Sequence, residues 1–373
     1  MFGHRNLISA VLIAVLFLTG ICGDELCAQG HEIRVRLEKV RPLFRPDTLS
    51  ICFMGDMMMH TKQIETAHKG GNAYDFSSYF RLLEDRIKKA DIAVANMEFT
   101  LSGDPYTGYP CFSAPDSYAT YLADCGFDVF LAANNHILDK GSEGAARTAG
   151  IYRRMEADGK ILFTGLAGSE EERARNYPLM IRRKGISLAL LNVTYGTNLG
   201  ATLHWPKINY IGRRTEIEEA LIKAEKADMT IVLPHWGPEY QTTHSESQKD
   251  AAEWLIEHGA DIIIGTHPHV VQGTAHISNV PVIYSLGNAV SNMSAADTQL
   301  ELMATLRIVR HENGDISMLP VELTWLWCSR PGGFTNDYTV IPVEEYIGSR
   351  DEWMGQWEYD KMMSTYERIR NNR

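Results

Sequence analysis

Cysteine is scarce in this chain. Six occur in 373 residues, and beyond the N-terminal segment only Cys52, Cys111, Cys125 and Cys328 remain, with no Cys-x-x-Cys spacing. That argues against a thiolate metal site; cysteines isolated in apolar segments serve as small buried hydrophobes. Positive charge is also short. Lys and Arg number 36 against 47 Asp and Glu, for a formal net charge of -11. A broad phosphate-backbone footprint needs clustered cations, so nucleic acid is not an expected partner. A membrane-length apolar run is missing as well, since the run from Leu7 to Ile21 is short for a span. What is present is ordinary for a globular protein. Hydrophobic residues make up 45% and charged residues 22%, in a chain long enough for one large domain or two small ones.

The apolar run follows His4 and Arg5 and precedes small and polar residues through Ala28-Gln29-Gly30, the layout of a secretory signal peptide. Thr19-Gly20-Ile21 lacks the small residue expected directly before a lipidated Cys22. The expected organisation is a signal peptide over 1–28, a leader over 29–46, a main α/β domain over 47–345 and a helical tail over 346–373. The protein is then exported, periplasmic or at the cell surface, and anchored to the membrane if the signal segment is left uncleaved.

Past the leader one pattern repeats: a helix, a short link ending in Asp, an apolar strand and a polar exit. Helices are predicted over Phe76–Ala90, Tyr118–Cys125, Thr215–Ala227 and Gln248–His258, and over Asp351–Arg370 in the tail. The alternation means α/β layers. Asp91, Asp128, Asp228 and Asp261 fall at strand entrances, the end away from the candidate ligands, and read as structural. Ser187–Val193 and Leu302–Val309 read as strands with no ligands at their exits.

Five exits carry chemistry. Ile262-Ile263-Ile264-Gly265-Thr266-His267-Pro268-His269 ends in two imidazoles one residue apart. Ile51–Met54 leads to Asp56 and His60, Ile92–Ala95 to Asn96 and Glu98, Val129–Ala132 to Asn135 and His136, and Ile231–Leu233 to His235. Strand ends in α/β folds deliver side chains to one crevice. Imidazoles, carboxylates and carboxamides suit Mn, Fe or Zn, and so many donors over-supply one ion, which favours two divalent ions and hydrolysis of a phosphoester. One strand-end His alone reads as structural; the weight lies in the combination. Asn135 is a metal candidate with His136 beside it free to protonate a leaving group and Asp139 placed to orient that His. Asn96, Glu239 and Asn288 are candidates for substrate contact.

In this order, Gly55-Asp56 with His60, Ala95-Asn96-Met97-Glu98, Ala133-Asn134-Asn135-His136 with Asp139 and Gly141, His235-Trp236-Gly237 with Glu239-Tyr240, Gly265 with His267-Pro268-His269-Val270, and Tyr284-Ser285-Leu286-Gly287-Asn288 resemble the bacterial CapA family of poly-gamma-glutamate capsule synthesis proteins, within the calcineurin-like metallophosphoesterase superfamily. The resemblance covers roughly residues 49 to 290. It implies a four-layer α/β/β/α sandwich. It also implies one metal on Asp56, His60 and His269, a second on Asn135, His235 and His267, Glu98 as the bridge and His136 as proton donor. Two departures stand out: three residues separate Asp56 from His60 where one is usual, and Glu98 replaces a bridging Asp. The implied partners are a cell-envelope phosphoester or a gamma-glutamyl polymer, with capsule synthase proteins beside them. Three readings compete: an exported dinuclear hydrolase, a non-hydrolytic capsule-assembly or polymer-binding protein on the same fold, and metal-assisted amide hydrolysis or transfer on γ-glutamyl chains.

Overall fold

Alternation of period two along the strands decides the architecture. In the strand Asp47–Met57, Leu49, Ile51 and Phe53 join one buried cluster, while Cys52 and Met54 join another. In Met229–His235, Ile231 and Leu233 share the cluster of Leu49 and Phe53, whereas Val232 faces a third. Two sheets therefore pack face to face through one apolar layer, and each buries its other face under helices. On the outer face of the first sheet lie Tyr118, Ala119 and Leu122 of the helix Asp116–Asp124, and Ala145, Ala149 and Tyr152 of Gly141–Ala157. On the second lie Ile217, Ala220 and Leu221 of Arg214–Ala224, and Ala251, Ala252 and Leu255 of Glu246–Glu257. The four-layer α/β/β/α sandwich is the observed fold. The computed structural model describes residues 47–201 and 204–371. The signal-peptide and leader expectations lie outside the described residues.

The first sheet runs Thr339–Pro342, Glu322–Ser329, Leu300–Arg310, Asp47–Met57, Ile92–Met97, Val129–Leu131, Leu162–Thr164, with Asn288–Val290 paired beside Asp56 and Met57. The second runs Thr274–Ile277, Val280–Ile283, Ile262–Ile264, Met229–His235, Ile186–Thr194, Leu179–Arg183. Strands Asp47–Met57, Ile92–Met97 and Val129–Leu131 are mutually parallel, as are Ile186–Thr194, Met229–His235 and Ile262–Ile264. All six therefore open toward one edge of the sandwich.

The entrance aspartates have a common task. Asp91 accepts from the backbone N–H of Ser50 at 2.9 Å, Asp128 from Ala93 at 2.8 Å, Asp228 from Ser187 at 2.7 Å and Asp261 from Thr230 at 2.7 Å. Each carboxylate ties the start of one strand to its neighbour and sets their register.

One expectation needs correction. Phe76–Ala90 is helical only over Glu84–Lys89; Phe76, Tyr79, Phe80 and Leu83 are buried in turns, so their spacing reflects packing on several sides. The four described cysteines are free, and Cys52, Cys125 and Cys328 are buried. The tail helix, Gln356–Asn371, puts Tyr359, Met362, Tyr366 and Ile369 into the inter-sheet core, the i, i+3, i+7, i+10 stripe of an amphipathic helix.

Candidate metal centre

Where the parallel strands end, donors from both sheets meet. Asp56 closes its strand fully buried, its Oδ1 accepting from Asn96 Nδ2 at 2.7 Å and its Oδ2 from the His267 backbone N–H at 3.1 Å. His235 Nδ1 lies 3.6 Å from Asp56 Oδ1, and His269 Nδ1 3.5 Å from Oδ2. Gly55 makes the close approach workable: a Cβ there would run into the Gly287 carbonyl oxygen of the neighbouring strand.

Glu98 occupies the centre. Its carboxylate lies 3.6 Å from His235 Nε2, 3.8 Å from His269 Nε2 and 3.9 Å from His136 Nε2. It is fully buried, and neither oxygen has a hydrogen-bond partner among the described residues. Burying a carboxylate unpaired costs several kcal/mol. Burial, with Asp56 and Glu239 nearby, accordingly lifts its pKa far above the ordinary carboxylate value.

Asn135 brings Oδ1 to 2.8 Å from His235 Nε2, and His267 Nδ1 stands 3.2 Å from that same nitrogen. Asp56, Glu98 and His269 form one cluster whose donor atoms lie within 4.8 Å of one another, and Glu98, His235 and His267 form a second. Glu98 belongs to both. A third joins Glu239, which is exposed, to His267 and His269. Burial holds His235 neutral, with a pKa pushed down to about 3, and pushes His267 well below its usual value. Neutral imidazoles are the form that binds a metal. For Asp56, burial pulls the carboxyl upward but the contacts to His269, His235 and Asn96 outweigh it, and its pKa falls below the ordinary value. His267 and His269 adopt φ of 100° and 58°, strain of the kind that persists at functional sites. The unpartnered Glu98, the neutral imidazoles and the donor set fit divalent ions such as Mn, Fe or Zn.

His136 stands at the side of this centre. Its Nδ1–H donates to Asp139 Oδ2 at 2.7 Å, and Asp139 also accepts from the Phe112 backbone N–H at 2.8 Å. Nε2 is thereby left facing Glu98.

Some candidates occupy other places. His60 caps the helix Thr61–Ala67 and accepts at Nδ1 from the Asn292 backbone N–H at 3.2 Å; burial brings its pKa to about 4, but it joins none of the three clusters. Asn96 and Asn288, expected against substrate, are fully buried behind the ligands. Asn96 holds Asp56, and Asn288 Oδ1 accepts from His269 Nδ1 at 2.9 Å, turning His269 Nε2 toward Glu98.

Other residues escaped the sequence reading. The strand Ile186–Thr194 does have a polar exit, Tyr195 through Asn198. Tyr195 packs its ring 4.6 Å from that of His267. Asn198 takes a 3.4 Å hydrogen bond from Asn135 Nδ2 and lies 3.2 Å from His136 Nδ1. Glu301 is fully buried without a hydrogen-bond partner at either oxygen among the described residues, and burial followed by the Asp56 charge lifts its pKa well above normal.

The sequence profile of the bacterial capsule synthesis protein PGA_cap matches residues 50–293, well over half of the chain. The chain belongs to that family. Every candidate ligand of the PGA_cap centre falls within the matched segment. Two curated relatives are the PGA biosynthesis protein CapA of Bacillus subtilis (strain 168), 26% identical over 75% of this chain and 73% of its own length, and the capsule biosynthesis protein CapA of Bacillus anthracis, 25% identical over 77% and 71%. Among solved structures, Haemophilus influenzae NAD nucleotidase aligns with a TM-score of 0.44 at 15% identity, over 87% of this chain and 63% of that one.

Proposed function

We propose that this PGA_cap protein is an exported, dinuclear metal-dependent hydrolase acting on a phosphoester of the cell envelope, within capsule biosynthesis. The observation that carries the reading is Glu98, a fully buried carboxylate with no hydrogen-bond partner among the described residues, shared by two donor clusters. Bound cations at these two donor clusters would supply the missing counter-charge.

Asp56 and His269 would hold one ion and Asn135, His235 and His267 the other, with Glu98 between them. Ions held by these residues would supply an activated water and counter-charge for the phosphoryl oxygens. The remaining work falls to the chain itself. Asp139 orients His136 by holding its Nδ1–H, and the carboxylate charge supports the doubly protonated ring, whose Nε2–H would pass to the departing oxygen. Asn96, Asn288 and Thr266, whose Oγ1 lies 2.9 Å from His235 Nδ1, keep the ligands in place. Export rests on the N-terminal sequence pattern.

The test compares metal content and turnover of the protein with those of His267→Ala. About two ions per chain and hydrolysis of a chromogenic phosphoester, both lowered in the variant, support the reading. No bound metal after Mn, Fe or Zn is supplied, with gamma-glutamyl polymer still bound, would establish the non-hydrolytic alternative.

A further inference from the structure

The mouth of the centre is built from phenols and one carboxylate. Tyr195 and Tyr240 are 48% and 44% exposed, and their rings lie 4.6 Å from His267 and 6.2 Å from His269. Both hydroxyls lie within electrostatic reach of the same two carboxylates, Glu98 at the centre and Glu239 at the rim. Tyr240 has a left-handed backbone, φ 63°, and its N–H donates to the Pro268 carbonyl at 2.8 Å. That bond ties it to the loop bearing His267 and His269. Tyr109, 72% exposed, extends the rim beside Tyr240. Among the described residues no Lys or Arg forms an ion pair with Asp56, Glu98, Asp139 or Glu239; the three that pair do so with histidines.

Charge and shape then act in one direction. A phosphomonoester brings two negative charges and one organic group, whereas a diester brings one charge and two organic groups. Bound metal ions attract both esters, and sites that favour the dianion commonly add Arg or Lys as further counter-charge. This mouth offers phenol O–H donors without charge, aromatic faces for a second substituent, and an exposed carboxylate that repels the extra charge of a dianion. We infer that the centre selects monoanionic phosphodiesters over dianionic monoesters, with Tyr195 and Tyr240 as neutral donors to the phosphoryl oxygens and Glu239 as the discriminating charge. The inference rests on the hydrolase reading above. In the reaction a water oxygen bonds to phosphorus and the ester P–O bond breaks, its electron pair passing to the leaving oxygen. That oxygen takes the His136 Nε2 proton, and the proton lost by the water returns His136 to its starting state through solvent. The products are a monoester and an alcohol.

The experiment measures kcat/KM of the metal-loaded protein and of Glu239→Gln for bis(4-nitrophenyl) phosphate and 4-nitrophenyl phosphate, which release the same alcohol. Binding of dimethyl phosphate and inorganic phosphate to both proteins is followed by calorimetry. The expected result is a diester preference of about tenfold or more, falling about tenfold in Glu239→Gln, with inorganic phosphate binding tightened in parallel. Tyr195→Phe and Tyr240→Phe should raise KM for the diester while metal content stays constant. A monoester preference that Glu239→Gln leaves unchanged overturns the inference and leaves the hydrolase reading standing. Loss of metal from Glu239→Gln also overturns it, by making Glu239 a ligand. Turnover of neither ester removes both.

Discussion

The two ring nitrogens of His136 have different neighbours, and the difference assigns the residue its chemistry. Nδ1 is committed to Asp139 at 2.7 Å, so Nε2, 3.9 Å from Glu98, is the atom that would face an ester under the proposed hydrolase reading. Asp139→Asn keeps the shape but removes the carboxylate charge that supports a ring carrying protons on both nitrogens. It is expected to lower kcat by about 10²–10⁴-fold with KM and metal content little changed, read by steady-state kinetics beside elemental analysis. The roles of Asn96 and Asn288 were harder to read. Both carry groups suited to substrate and both follow or open an apolar strand, but a linear pattern does not distinguish a carboxamide that lines a cavity from one behind the ligands. Their hydrogen bonds make that distinction, since Asn96 Nδ2 is spent on Asp56 and Asn288 Oδ1 on His269.

At the scale of elements, the parallel strands were legible because their apolar runs end in polar exits, and the entrance aspartates recur at the opposite end. Antiparallel strands break that rule. Leu300–Arg310 runs against Asp47–Met57, with Phe53 opposite Ala304, so its beginning and not its exit lies at the ligand edge. Glu301 was overlooked for that reason. The entrance aspartates also make a pH prediction of two signs. In Asp228 burial raises the carboxyl, but the Ser187 hydrogen bonds and the Arg310 and Arg182 charges outweigh it, and its pKa lies below normal. Its stabilisation is complete above the unfolded value of about 3.9 and is lost as pH falls through the lower folded value. In Asp128 burial prevails over the Ala93 hydrogen bond and the Arg183 charge, and the pKa is raised. The Asp128 charge therefore costs stability above the raised value, a cost relieved as pH falls. Asp228→Asn should lose roughly 0.5–1 kcal/mol at pH 7, a modest figure for a half-solvated group, and the loss should vanish toward pH 2–3. Asp128→Asn should show a deficit that grows, or a gain that shrinks, as pH falls. Urea midpoints across that range give both.

For the whole molecule, the centre lies where two separate sheets come together. Asp56, Glu98 and Asn135 come from strand ends of the first sheet, while His235, His267 and His269 come from those of the second. The layers were readable from period-two apolar runs, but which strands share a sheet was not, because short buried runs such as Ile262–Ile264 carry no register of their own. Ions held there would link the sheets beyond what the apolar layer of Phe53, Val94, Ile231 and Ile264 supplies. Binding to the folded chain alone stabilises it by about 2.7–4.1 kcal/mol when free metal stands at 100–1,000 times its dissociation constant. For a domain of this size each kcal/mol moves the melting temperature by about 2–4 °C or somewhat less. A chelator should therefore lower the calorimetric midpoint by roughly 5–15 °C, reversed when Mn, Fe or Zn is restored. Glu98→Gln separates this linkage from a general effect of the chelator. Without the shared carboxylate the metal-dependent shift should disappear, while the metal-free midpoint stays level or rises because a buried, unpaired acid has been replaced by an uncharged amide. A shift of equal size in Glu98→Gln would mean that the ions stabilise the fold from somewhere other than the junction of the two sheets.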